Sequence, residues 1–166
     1  MVKPEKLSKE VISLLQSVLV DEFKAFYHYR SATNWCKNVG FVKASEFFAK
    51  ESEEELEHAK GIEDFLVDWN SNPDLPIIEK PEQIEFTGLD QIIDMSYKLE
   101  YDLYEKYEVT SVQIFKSGDI CAFDFLQKYR TIQKESVTAY SDMINMLSGV
   151  DTKSKFEMLM LEKKLF

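Results

Sequence analysis

The chain is poor in residues that break or cross-link secondary structure: its 166 residues include five glycines, four prolines and two cysteines. So few turn residues exclude a hairpin-rich β fold and favour long helices. Cys36 and Cys121 lie far apart and form no C-x-x-C motif. They are therefore expected to be free thiols in a reducing compartment. The chain also lacks an apolar run approaching roughly 18 residues and a signal-like apolar segment at its start, so we expect a soluble cytoplasmic protein.

Acidic residues, in contrast, are abundant. Aspartate and glutamate number 30 against 20 lysines and arginines, which gives a formal net charge of −10. This charge argues against nucleic acid and anionic membranes as partners and suits a protein that handles cations. Hydrophobic residues make up 45% of the chain, so a single folded domain over residues 1–166 is expected.

The positions of the breakers divide the chain into four long helical runs. Helical periodicity predicts runs over about 6–37, 41–69, 89–116 and from the predicted N-cap Asp119 to about 147. Asn38-Val39-Gly40 ends the first run, and Ser117-Gly118 ends the third. The amphipathic segment 152–166 is a candidate fifth helix.

The connections between these runs predict the topology. Short links join the first two helices and the last two, so each pair is expected to form an antiparallel hairpin. The breaker-rich middle segment of about 19 residues spans ~60 Å when extended, whereas a helix of about 28 residues is ~42 Å long. We therefore predict an all-α four-helix bundle with one long crossover between helices two and three.

Each of the four helices carries a polar group of metal-ligand type on its apolar face. These groups are Glu22 in the first helix, Glu55 with His58 in the second, Glu100 in the third and Gln133 in the fourth. Glu22 and Glu100 both lie 18 residues before the glycine of their hairpin, and Glu55 and Gln133 both lie 15 residues after it. The two hairpins thus resemble structural repeats, and all four groups are expected to meet at one level of the bundle.

Three carboxylates sharing a dry core predict bound cations. Buried carboxylates must be protonated, hydrogen-bonded or neutralised by positive charge. Oxygen ligands with one imidazole suit iron or manganese, and zinc competes. We expect two metals bridged by Glu55, with Glu22 and His58 completing one site and Glu100 and Gln133 the other. The second site has fewer charged ligands and is expected to bind its metal more weakly.

Other polar residues near these positions have simpler expected roles. Glu53 and Glu57 point away from the apolar face and are expected to be solvated. Glu51 and Glu54 lie on or beside that face, where they are candidates for accessory or transit ligands. His28 lies off the apolar face and is expected at a surface or interface.

Glu22, the sequence Glu55-Leu56-Glu57-His58, Glu100 and Gln133 together resemble the ferroxidase centre of non-haem ferritins, the bacterial type above all. The resemblance covers nearly the whole chain and includes "YKLE" around Glu100 and "FLQKY" before Gln133. It implies the ferritin-like fold and a homo-oligomeric shell of twenty-four bundles. It also implies oxidation of Fe(II) by oxygen or peroxide at two irons per subunit, and storage of ferric oxide.

Carried over residue by residue, the resemblance assigns a role to each of these positions. Glu22, Glu55 and His58 would hold one iron, and Glu55, Glu100 and Gln133 the other. Tyr29 would lie beside the site as a hydrogen-bond donor or one-electron donor.

The chain also departs from related patterns. Bacterial non-haem ferritins often have a third iron site, and of its four carboxylate positions only Glu54 and Glu135 are acidic here, since Ile132 and Ser136 occupy the others. Leu56 replaces the methionine that ligates haem in bacterioferritins, so no haem is expected.

The leading hypothesis from the sequence is an iron-storage protein with ferroxidase activity. A di-iron or di-manganese oxidase or peroxidase that forms no cage would share the same ligands, and a non-catalytic iron-binding bundle would share most of them. Assembly mass and oxygen consumption distinguish these alternatives.

Overall fold

Five helices account for most of the described chain. The structure, a computed structural model, describes residues 6–81 and 83–166. The helices are α1 (Lys9–Val39), α2 (Val42–Asp68), α3 (Leu89–Ser117), α4 (Ile120–Leu147) and α5 (Lys155–Leu165). The all-α prediction and the five helical segments are confirmed. Residues 1–5 and 82 lie outside the described residues.

Local capping chemistry places the helix ends within a few residues of the predicted positions. α1 begins at Lys9 because the side chain of Ser8 accepts a hydrogen bond from Val11 N, which satisfies a free amide of the first turn. Gly40 and Gly118 end α1 and α3 in the left-handed region, with φ of +92° and +82°, a conformation that glycine adopts without a steric penalty. Asp119 caps α4 as predicted, accepting from Ala122 N at 2.9 Å.

Contacts between the helices confirm two antiparallel hairpins joined by a long crossover. α1 packs along α2, α3 packs along α4, and α1 also packs against α3. The crossover, residues 69–88, runs beside α1, since Asp74 N donates to Gln16 Oε1 at 3.1 Å and Ser31 Oγ donates to the Gln83 carbonyl at 3.3 Å. Because it starts near one end of α1 and finishes near the other, α2 and α3 run parallel. Within the described residues, no helix is both long and apolar enough to cross a membrane.

The hydrophobic core is divided into two clusters along the bundle axis. One cluster includes Tyr29, Phe48 and Tyr140. The other includes Tyr107 and Tyr129, together with aliphatic residues such as Leu19 and Ile62. The buried side chains of Glu22, Glu55, Glu100 and Gln133 lie between these clusters, so apolar packing shields them on both sides along the axis.

Candidate metal centre

The centre of the bundle brings together two carboxylates and an imidazole from α1 and α2. One ligand atom each from Glu22, Glu55 and His58 lie within 4.8 Å of one another, and both glutamates are buried. His58 Nδ1 is 3.0 Å from Glu55 Oε2 and 3.6 Å from Glu22 Oε2. Glu55 and His58 reach the same side because residues three apart are neighbours on a helix surface. This arrangement has the ligand types and spacing that a divalent cation requires.

The third and fourth helices contribute the other half of the centre. Glu100 is completely buried and Gln133 is 1% exposed. The amide of Gln133 donates to Glu100 Oε2, and also to the Glu100 carbonyl at 3.3 Å. In this arrangement Gln133 orients Glu100 and offers its amide nitrogen, rather than its oxygen, to the carboxylate.

Two buried tyrosines link the halves of the bundle at this level. The hydroxyl of Tyr29 on α1 donates to Glu100 Oε1 on α3. The hydroxyl of Tyr107 on α3 donates to Glu22 Oε1 on α1. Each tyrosine therefore fixes one oxygen of the carboxylate on the opposite helix, and the second oxygen of Glu100 accepts from Gln133.

The sequence did not lead us to predict a functional role for Tyr107, although its spacing from Glu100 could have indicated one. Tyr29 follows Glu22 by seven residues, and Tyr107 follows Glu100 by the same interval. The repeat spacing that relates the two hairpins therefore relates these tyrosines as well.

Tyr129 supports the imidazole of His58 from α4. The two rings meet edge to face with centroids 5.5 Å apart, and Tyr129 also stacks on Tyr107 at 5.8 Å. A Cβ added at Gly61 would lie 2.1 Å from the Tyr129 hydroxyl. Gly61 thus provides the space on α2 that lets Tyr129 reach this position.

Burial and repulsion between neighbouring carboxylates raise the pKa values of Glu55 and Glu100. Desolvation, followed by the charges of Glu22 and Glu100, raises the pKa of Glu55 well above its ordinary value. Desolvation is also the main cause that raises the pKa of Glu100 to about 8. Glu22 Oε2 is buried and has no hydrogen-bond partner among the described residues. Since an unpaired buried carboxylate oxygen is costly, a bound cation would stabilise this donor set.

The three further acidic candidates occupy different surroundings. Glu51 is largely buried beside the centre, accepts from the Tyr140 hydroxyl at 3.3 Å, and has its pKa raised to about 7, chiefly by desolvation. Glu54 is exposed and pairs with Lys50 at 3.0 Å. Glu135 is exposed on α4. Glu54 and Glu135 line separate surface depressions, so their joint role as a third iron site stays a prediction.

His28 is not at the surface, and that expectation is wrong. Its ring is buried, with Nε2 2.9 Å from Ser96 Oγ on α3. The error arises because α1 is covered by α3 and the crossover as well as by α2, so it has more than one buried face. Cys36 is buried and Cys121 is exposed, and both are free thiols, as the sequence predicts.

Comparisons with known proteins identify the family and agree with the fold. The family model described as "Ferritin-like domain" matches residues 12–150, which is most of the chain. The chain belongs to the ferritin family. The resemblance to non-haem ferritins found in the sequence is confirmed at the level of the family and the fold.

Curated relatives of this ferritin-like chain include two bacterial proteins. One, from Haemophilus influenzae, is named "Probable bacterial non-heme ferritin-like protein" and is 28% identical, covering 90% of this chain and 92% of its own. The other, the bacterial non-heme ferritin of Escherichia coli, is 27% identical and covers 89% of this chain and 86% of its own.

Among solved structures, the open-pore ferritin of Archaeoglobus fulgidus superposes on this ferritin-like chain with a TM-score of 0.89. It shares 22% identity and covers 96% of both chains. At this identity the match establishes the fold, a ferritin four-helix bundle.

Proposed function

We propose that this protein is an iron-storage ferritin with ferroxidase activity, which oxidises Fe(II) at a two-metal centre within each subunit. Glu22, Glu55 and His58 would bind one iron ion, and Glu55, Glu100 and Gln133 the second. The family membership and the names of the bacterial relatives support the iron chemistry. The single observation that carries the proposal is the cluster of Glu22, Glu55 and His58, in which Glu22 Oε2 is buried and has no hydrogen-bond partner among the described residues.

Iron is the substrate and cargo of this centre, and the chain supplies charge and geometry. Two Fe(II) ions held ~3.5–4 Å apart each give one electron to the same oxidant. With dioxygen and hydrolysis of the product, two Fe(II), one O₂ and four water molecules give two FeO(OH), one H₂O₂ and four protons. Carboxylates that are anionic in the loaded centre favour the more highly charged Fe(III) over Fe(II).

Tyr29 and Tyr107 hold the carboxylates in place during this reaction. The hydrogen bond from Tyr107 to Glu22 Oε1 leaves Glu22 Oε2 available to the metals, and Glu100 Oε2 would become available once the Gln133 amide no longer donates to it. Tyr29 is also near enough to the second metal position to serve as a one-electron donor, since its hydroxyl contacts Glu100 directly. Gln133 would turn its amide over to present its oxygen to the metal.

Storage requires a closed assembly, and we propose a homo-oligomeric cage of twenty-four subunits in the cytoplasm. The family and the similarity to ferritin structures support the assembly. The free thiols of Cys36 and Cys121 suit a reducing compartment.

Aerobic addition of Fe(II) to the wild type, followed by ferric absorbance, tests the ferroxidase proposal. Glu55→Ala removes the predicted bridging ligand and should slow oxidation to near the rate of free iron. Glu57→Ala is the matched control, because Glu57 lies on the same helix but is exposed and pairs with Lys60. Equal rates in the wild type and Glu55→Ala would contradict the proposal.

Light scattering on the purified protein separates storage from the alternative of a cage-less oxidase. A mass near twenty-four subunits of 19.4 kDa each supports a storage cage. A monomer or dimer that still oxidises Fe(II) would instead indicate an oxidase or peroxidase without mineral storage.

A further inference from the structure

Gly61 is placed unlike the other glycines of the chain. All five lie in the described residues, and Gly61 alone lies inside a helix, whereas the other four lie at or just beyond helix ends. A glycine in a helix interior destabilises the helix relative to alanine, because glycine loses more backbone freedom on folding. We therefore expect a favourable contact that only this small residue permits.

The hydroxyl of Tyr129, from α4, occupies the space that a side chain would need at Gly61. A Cβ added there would lie 2.1 Å from the hydroxyl oxygen and 3.4 Å from the ring carbon Cζ. The first distance is far too short for two nonbonded atoms, whereas the second is close to an ordinary van der Waals contact. Gly61 therefore admits the hydroxyl itself, and a ring without a hydroxyl would fit beside an added Cβ.

Three neighbouring side chains pack around the ring of Tyr129, which is 3% exposed. The ring stacks on Tyr107 with centroids 5.8 Å apart and planes at 15°. It meets Phe125 edge to face at 5.2 Å, and Lys128 Nζ lies 4.5 Å from its centroid. The Tyr107 hydroxyl in turn donates to Glu22 Oε1. Because the ring is packed on several sides, an atom added at its hydroxyl end would change these contacts.

The ring of Tyr129 also contacts His58, the most exposed of the three ligands proposed for the first metal position. The two rings meet edge to face, with centroids 5.5 Å apart and planes at 79°. The side chain of His58 is 16% exposed, against 0% for Glu22 and 6% for Glu55, and it borders a surface depression along α2. The imidazole is therefore free to turn outward unless a neighbour holds Nδ1 toward the carboxylates.

We propose that Tyr129, seated against Gly61, is a positioning residue that holds the His58 imidazole toward the two carboxylates of the first metal position. The result is a higher affinity at this position, because an imidazole already held in its binding orientation loses little freedom when metal binds. The inference rests on the proposed function, which assigns the metal to these ligands. The second position does not depend on Tyr129, because the carboxylate of Glu100 accepts from Tyr29 instead.

Anaerobic calorimetric titration with Co(II) tests this role without oxidation. Tyr129→Leu removes the ring and should weaken the first binding step by roughly 10-fold, while the second step stays unchanged. The matched control is Phe65→Leu, because Phe65 stacks on Phe125 at 4.1 Å but lies seven residues, about two turns of α2, beyond His58. An unchanged first step in Tyr129→Leu, or an equal loss in both variants, would overturn the proposal.

A paired substitution separates positioning from a general loss of stability. Gly61→Ala should favour the helix by its propensity, yet it should weaken the first Co(II) step, because the added Cβ displaces the Tyr129 hydroxyl. Adding Tyr129→Phe removes the clashing oxygen and keeps the ring, so the double variant should recover the affinity of Tyr129→Phe alone. Lys60→Ala, at the adjacent exposed position of α2, should leave both steps unchanged. A Gly61→Ala variant with wild-type affinity, or one that Tyr129→Phe does not restore, would contradict the proposal.

The orientation of His58 is also measurable in the metal-free protein. The chain has two histidines, so ¹⁵N-histidine solid-state NMR of the purified protein resolves both. The His58 signals should shift in Tyr129→Leu and in Gly61→Ala, and should return toward their original positions when Tyr129→Phe is added to Gly61→Ala. His58 signals that stay unchanged in Tyr129→Leu would show that the ring does not hold the imidazole.

Failure of the positioning role and failure of the ferroxidase proposal give different results. Fe(II) oxidation by the wild type, together with a first Co(II) step that does not depend on Tyr129, would overturn the positioning role alone. A wild type that shows the predicted dependence on Tyr129 but oxidises no Fe(II) would contradict the ferroxidase proposal and support the positioning of His58.

Discussion

At the scale of single residues, the centre is organised by a reciprocal pair of hydrogen bonds. Tyr29 and Tyr107 occupy equivalent places in the two hairpins, and each donates to the glutamate of the other hairpin. The carboxylates are thus oriented by side chains that do not themselves need to bind metal. The raised pKa of Glu100 then governs how the metal-free protein responds to pH.

Glu100 should make the stability of the metal-free protein depend on pH. Burial raises its pKa from 4.5 to about 8 in the folded state, so folding favours the protonated form. Its contribution to stability is fully present below pH 4.5 and is lost as the pH rises through 8, by about 1.4 kcal/mol for each pH unit between these two values. The Glu100→Gln variant has a neutral side chain at every pH. Its free energy of unfolding, relative to that of the wild type, should therefore increase by several kcal/mol between about pH 5 and pH 8.5.

Chemical denaturation in the presence of a chelator measures this difference. Glu57→Gln, at an exposed position of α2, should show a constant difference from the wild type over the same range. A Glu100→Gln difference that is equally constant would mean that Glu100 is not buried in its protonated form.

Gln133 should limit the affinity of the second metal position. Gln133→Glu adds a negative charge at the level of the centre, which should strengthen binding of the weaker metal by about 10-fold, or about 1.4 kcal/mol. Anaerobic calorimetric titration with Co(II) measures both steps. Gln127→Glu adds the same charge on α4 beside Arg130 and should leave both affinities unchanged. An unchanged second step in Gln133→Glu would place this residue outside the ligand set.

At the scale of elements, α5 completes the N-terminus of α2. α2 begins after Phe41, which provides no side-chain cap, and its first turn contains no acidic residue. Glu162 of α5 is buried and accepts from Ala44 N at 2.9 Å. A carboxylate from a distant helix thus satisfies a first-turn amide and complements the helix dipole.

Replacing Glu162 should loosen this junction. Glu162→Ala leaves the Ala44 amide unpaired and should destabilise the protein by about 1–2 kcal/mol. Glu162→Gln keeps an acceptor oxygen and should cost much less. Hydrogen exchange at Ala44 provides the local measurement, and Lys163→Ala, on the exposed side of α5, is the control. Unchanged exchange at Ala44 in Glu162→Ala would show that the bond contributes nothing to this junction.

At the scale of the whole molecule, the buried side chains of Glu22, Glu55, Glu100 and Gln133 separate two hydrophobic clusters. Burying the carboxylates costs free energy unless protons or cations neutralise their charge. Metal binding to the folded state alone should therefore stabilise the entire bundle. Glu55 and Glu100 must lose protons to bind metal, and burial raises the pKa values of both. The stabilisation by metal should therefore grow with pH.

Co(II) should raise the unfolding temperature of the wild type, and the increase should be larger at about pH 8 than at about pH 6. Anaerobic calorimetric scans at fixed protein concentration measure it. Glu57→Ala should respond like the wild type, and Glu55→Ala should lose most of the increase. An increase that does not depend on pH would argue that metal binding displaces no protons from the buried carboxyls.

Much of this architecture follows from patterns within single segments. Breakers such as Gly40 and Gly118 lie where the helices end, because the left-handed backbone there suits glycine. Glu22 and Glu100 interrupt apolar faces, and periodicity alone predicts their burial, since a residue's direction on a helix depends only on its position along it. The equal spacing in the two hairpins predicts that these groups share one level.

The partners of these groups were decided by tertiary structure. Which carboxylate Tyr107 contacts, whether His28 meets water or Ser96, and which helix Glu162 caps depend on how separate helices are rotated and aligned against one another. The sequence determined the helices and their polar positions because those are properties of neighbouring residues. Only the packed bundle determined the hydrogen bonds between them, because each such bond requires two groups distant in the chain to come within about 3 Å.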